Sequence, residues 1–171
     1  MVSPAVFAAP QVGRDQALAR AFPGARIERQ AYALTTGQVA AVERGARARL
    51  GSAVGALYRA WRGDTLAGTA WFESRVIRTL PAVVMVVVAP DTTVERVEIL
   101  AFHEPSDYRP MPRWLDQYRG RRLDDRLWPA RAIRPLSGAT LTTRALTESA
   151  RLALALAVTI APGSPPAGAA R

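Results

Sequence analysis

The sequence predicts an α+β fold: an antiparallel sheet of four or five strands with helices packed on it, ending in a long C-terminal helix. Three observations predict it. Residues 54–102 hold four apolar or alternating runs separated by short turn signals, Gly63-Asp64 and Pro90-Asp91 among them, which is the pattern of a meander. Residues 38–50 put Val39, Val42, Ala46 and Leu50 on one helical face. Residues 141–160 form the strongest helical pattern in the chain.

In chain order, residues 14–22 read as a short helix that Pro23-Gly24 stops, and residues 26–34 alternate as a strand. Thr36-Gly37 opens the helix over 38–50, and Gly51 stands where a C-terminal cap is expected. The strands then run over 54–62, 66–76, 80–89 and 93–102. The third is continuously apolar, so it reads as a central strand buried on both faces. Residues 103–112 form a polar, proline-rich loop, 113–119 a short helix, and 123–133 an irregular stretch.

A chain of 171 residues with 49% hydrophobic composition supports one domain with a real core, over residues 14–161. No apolar run approaches the roughly 18 residues that span a bilayer. Residues 1–13 read either as a flexible segment or as a signal remnant, because Ala5-Val6-Phe7-Ala8-Ala9-Pro10 resembles the end of a secretory leader but lacks a basic region before it. Residues 162–171, rich in Pro, Gly and Ala, are expected to be disordered.

The formal net charge is +9, and every basic residue is Arg. A basic surface attracts phosphates, nucleic acid and anionic membranes. A basic nucleic-acid-binding module is therefore a second reading of the chain. No nucleic-acid motif accompanies the charge, which is dense only over residues 119–126, where Asp124 and Asp125 interrupt it. The absence of Cys excludes thiol catalysis, iron–sulfur ligation and disulfides, and a single His, His103, excludes a multi-His metal site. His103 reads as a surface or hydrogen-bonding residue.

Residues 134–144 read Arg-Pro-Leu-Ser-Gly-Ala-Thr-Leu-Thr-Thr-Arg, a turn of small polar residues feeding the long helix. Ser137 or Thr140 can cap that helix. Gly138 and Ala139 leave room for a group to approach the backbone, and a helix N-terminus suits a phosphate. On these residues alone, a plain capped helix without a ligand remains open.

The stretch Ser137-Gly138-Ala139-Thr140-Leu141-Thr142 resembles the flavinylation motif of the FMN-binding domain family. That family includes the C subunit of the sodium-translocating NADH:quinone reductase, the G subunit of the Rnf complex and small exported flavoproteins. The resemblance extends over roughly residues 35–160. Its further parts are the strand pair and Glu-containing loop His103-Glu104-Pro105-Ser106-Asp107-Tyr108, the segment Arg113-Trp114-Leu115-Asp116-Gln117-Tyr118-Arg119-Gly120, and the closing helix.

The resemblance implies an electron-transfer flavoprotein, a carrier or redox subunit more than a stand-alone enzyme. It implies FMN joined by a phosphoester to Thr140, with Thr142 as the neighbouring alternative, put there from FAD by a magnesium-dependent flavin transferase. Ser137, Gly138, Ala139, Leu141 and Thr142 would then contact the cofactor, with Glu104 near the ribityl chain or ring and with Tyr108, Trp114 and Leu141 against the ring. The implied partners are that transferase and redox donor and acceptor proteins, membrane-bound ones among them, on the extracytoplasmic side. The family carries Asp where this chain has Arg134, which reverses the charge beside the motif; a third reading is therefore a non-flavinylated member that serves as a partner-binding domain. Arg144, one turn into the helix, reads as a solvated residue within reach of a phosphate.

Overall fold

Eight apolar residues in succession, from Pro81 to Val88, need cover on both faces of the strand they form. The computed structural model, which describes residues 11–160, supplies it. The sheet is a five-stranded antiparallel meander in the order β1 (Arg26–Ala33), β2 (Val54–Arg62), β3 (Thr65–Val76), β4 (Pro81–Val88) and β5 (Val94–Phe102). The fold is α+β, with four α-helices among the described residues: α1 (Gln11–Ala21), α2 (Thr36–Ala46), α3 (Pro112–Leu115) and α4 (Thr140–Thr159). The stretches read from the sequence as a leader remnant and a C-terminal tail lie largely outside the described residues.

Strand register sorts the side chains between two layers. Leu57, Trp71, Val86 and Val97 are aligned across β2, β3, β4 and β5 and join the core beneath α2 and α4. One residue along, Tyr58, Ala70 and Val87 are aligned on the opposite face, where Leu18 and Phe22 from the α1 region cover them. Gly68 of β3 makes room for that cover, since a Cβ there would come within 2.9 Å of the Phe22 ring. β4 is thus buried on both faces as the sequence predicts, but it lies second from the sheet edge and not at its centre.

α2 differs from its sequence reading. Thr35 caps it through a reciprocal box with Gln38, and it stops at Ala46 instead of Leu50. Arg47, with φ 53°, takes the left-handed C-terminal position expected of Gly51. Beyond the turn, the Leu50 N–H donates to Glu43 Oε1 at 2.9 Å, and its side chain still packs on the core. Apolar burial at Leu50 therefore persists without helical backbone. The predicted helix over 113–119 is likewise divided, into α3 and a one-turn 3₁₀ helix, Asp116–Tyr118.

α4 is buried along most of its length, from Thr142 to Leu156. Its packing partners are α2 and the sheet. Arg151, 2% exposed, is the largest fully buried side chain. Its guanidinium donates to the carbonyls of Ala46 (2.6 Å), Gly45 (3.1 Å), Asp124 (2.6 Å) and Leu127 (3.2 Å), and lies 4.8 Å from the Trp128 ring centre. It thereby joins the carbonyl end of α2, where a cation is favoured, to the irregular segment after residue 120. Burial lowers its pKa, with the nearby Arg47 adding to the effect. Among the described residues, no helix is long and apolar enough to cross a membrane.

Candidate functional site

The turn that enters α4 is held from below. Thr143, fully buried, accepts the Leu136 N–H at 2.9 Å and donates to the Ala139 carbonyl at 3.2 Å. Thr147 donates to the Thr143 carbonyl at 2.8 Å and lies 2.9 Å from the Tyr118 hydroxyl. Burial raises the Tyr118 pKa. The network ties the turn to the segment around Tyr118. Gly138, with φ 74°, completes the turn in a conformation that side chains disfavour.

Above this network the helix end is open. The N-cap residue is Ala139, and no side chain caps the helix. The sequence expectation that Ser137 or Thr140 does so is corrected: Thr143 tightens the turn from within the helix, while Ser137 is exposed and Thr140 is the first helical residue. The first-turn N–H groups lack intrahelical acceptors by the geometry of any helix start. Thr140 is exposed, Leu141 is 47% exposed, and Thr142 is only 1% exposed. Of the two hydroxyls singled out from the sequence, only that of Thr140 is open to a reaction partner.

Gly138, Ala139, Thr140, Leu141 and Thr142 line a small cleft of about 30 Å³ together with Ile77, Arg78, Glu104 and Tyr108. The structure therefore brings together the motif, Glu104 and Tyr108 from separate parts of the chain. Glu104, 6% exposed, accepts through Oε1 the backbone N–H groups of Arg78, Thr79 and Leu80, at 2.9, 2.8 and 2.9 Å. These bonds, the one from Leu80 foremost, hold its pKa below the usual carboxylate value. A contact to the ribityl chain or ring, if made through Oε1, would compete with all three. The carboxylate's evident task is to shape the loop between β3 and β4.

That loop presents a residue the sequence reading missed. Arg78 lies against the Tyr108 ring, 4.9 Å from its centre, and lines the same cleft as Thr140. No signal around residue 78 marks it, because long-range contacts, the Glu104 clasp among them, set the place of the β3–β4 loop. Arg144, by contrast, pairs with Glu148 at 2.9 Å, 69% exposed, in keeping with a solvated face. His103 is exposed.

Trp114 lies elsewhere. It packs edge-on against Tyr118, with ring centres 5.9 Å apart, and lines a separate groove with Arg134. Arg134 donates its backbone N–H to Gln117 Oε1 at 2.6 Å. Its charge thus borders the groove and not the cleft that contains Thr140. Among the described residues, no group of three or more His, Asp or Glu side chains is placed to hold a metal ion.

No protein-family model and no curated protein matches the chain.

Proposed function

We propose that the protein is an electron-transfer flavoprotein that carries FMN as a phosphoester on Thr140. The observation that carries this reading is the pairing of an exposed Thr140 hydroxyl with an uncapped helix start, on a small cleft that Arg78 also lines. A phosphate there meets free backbone N–H groups, the positive end of a 20-residue helix and a guanidinium. The motif Ser137-Gly138-Ala139-Thr140 and its spacing from Glu104 and Tyr108 supply the link to flavin in particular.

The residues suit the phosphate end of the group, and a cleft of about 30 Å³ leaves the ring outside it. Thr140 would hold the phosphate ester, Arg78 and the first-turn N–H groups would face its charge, and Leu141 and Tyr108 offer exposed and half-buried apolar surface at the rim. Bound FMN would supply one- and two-electron redox chemistry; the protein's part is to anchor and orient it. Formation of the ester joins Thr140 Oγ to the flavin-side phosphorus of FAD as the pyrophosphate bond breaks. AMP leaves, and the hydroxyl proton is released. Glu104 is a poor base for that proton, since three N–H groups hold it as a carboxylate. The base and the magnesium ion belong to a separate flavin transferase. The donor and acceptor are then redox proteins that approach the open side of the cleft, and an extracytoplasmic setting is proposed with the same family resemblance as its basis.

The test is co-expression with a flavin transferase of this family, followed by absorbance of the acid-denatured protein. Retained flavin absorbance that is lost in Thr140→Ala supports the proposal. A colourless co-expressed protein overturns it.

A further inference from the structure

The groove that takes in Trp114 and Arg134 has a volume of about 570 Å³, within the range of small-ligand sites. Arg113, Arg121, Arg131 and Arg134 all line it. Among the described residues, none of the four pairs with a carboxylate. Two are fixed by carbonyls: Arg121 donates to Gln117 (3.0 Å) and Ala132 (3.4 Å), and Arg131 donates to Asp125 at 2.7 Å. The Trp114 indole N–H is shielded from water and has no acceptor. Four like charges converging on one concavity repel one another unless an anion offsets them.

We infer that this groove binds a nucleoside diphosphate. A single phosphate is smaller than the groove of about 570 Å³ that the four arginines line, and Arg is suited to fork onto successive phosphate oxygens. Trp114 provides the aromatic wall that a base requires at the same site. The inference goes beyond the flavin reading and does not depend on it, since Thr140 lines the other cleft.

Isothermal titration at fixed ionic strength tests it, on the Thr140→Ala protein as well as the wild type so that attached flavin plays no part. ADP is expected to bind with one-to-one stoichiometry, inorganic pyrophosphate more weakly, and adenosine without detectable heat. The double substitution Arg113→Gln/Arg134→Gln removes two guanidiniums that hold nothing in the fold, and should weaken ADP by about tenfold or more. A charge-matched control, Arg44→Gln/Arg62→Gln, should keep the wild-type affinity. Absence of ADP binding, an equal loss in the control, or a preference for single-stranded oligonucleotides that strengthens with their length would each overturn the inference.

Discussion

At Arg151, about three turns into α4, a buried guanidinium donates to four backbone carbonyls, those of Ala46 and Leu127 in the interior and those of Gly45 and Asp124 nearer the surface. At Thr140, on the first turn of the same helix, the N-cap is an alanine, no side chain caps the N–H groups, and the hydroxyl is exposed. The polar groups of the first region are consumed in holding α2, α4 and residues 124–128 together. Those of the second are left over after folding. Buried polar groups need partners within the protein, so a polar group that folding does not use is available to a ligand. The comparison separates two kinds of residue that look alike in sequence: Arg151 and Arg78 are both arginines near hydrophobic stretches, but only Arg78 keeps its charge at an open surface.

Substitutions should therefore divide along the helix. Arg151→Met has the largest expected effect on stability, on the order of 3 kcal/mol, because it strands the buried carbonyls of Ala46 and Leu127. Urea unfolding should show it as a lower midpoint with an unchanged slope. Retention of the wild-type midpoint would remove Arg151 from the structural side of the comparison. Thr143→Val keeps the shape and loses both bonds to the turn, at a cost of about 1–2 kcal/mol. It should also slow flavin attachment, since the turn that presents Thr140 loosens. An unaltered rate of attachment would show that the turn is set without Thr143.

Glu104→Gln sharpens the boundary between the two regions, because Glu104 is buried like the first yet lines the cleft of the second. Its folded-state pKa is depressed, so its carboxylate contributes stability at and above the ordinary carboxylate range. That contribution is lost as pH falls through the folded-state value. Glu104→Gln should accordingly be less stable than wild type at neutral pH, by less than Thr143→Val, and the two proteins should converge in acid. A gap that stays constant between neutral and acidic pH would mean that the charge of Glu104 does not hold the loop.

Much of this arrangement is legible in the sequence, and the exceptions share a cause. The meander follows from alternation and short turns, and β4 from its unbroken apolar run, because local pattern decides both. The end of α2 does not, since Leu50 keeps its helical spacing while its backbone has already turned at Arg47, which no propensity favours there. At the site, the motif and Glu104 are visible as residue types, but the placement of Arg78 depends on long-range pairing between the β3–β4 loop and the end of β5. Thr143 is hidden for a different reason: it stands in a run with Thr140 and Thr142, and only burial separates the exposed hydroxyl from the two inside. Trp114 shows the converse, being read into the flavin site by its neighbours in sequence while packing beside Tyr118 on another groove.

The smallest expected effect on stability is that of Thr140→Ala, under about 0.5 kcal/mol, because an exposed side chain that caps nothing is removed. A thermal midpoint well below that of wild type would place Thr140 with the residues that hold the fold.

Whether that same hydroxyl carries the flavin is decided by peptide mass spectrometry of the wild-type protein after reaction with purified flavin transferase, FAD and magnesium. The prediction is a single FMN phosphoester, fragmenting to Thr140, with the peptide otherwise unmodified. Modification at the buried Thr142, or no modification under conditions that flavinylate an authentic substrate of the transferase, would contradict it.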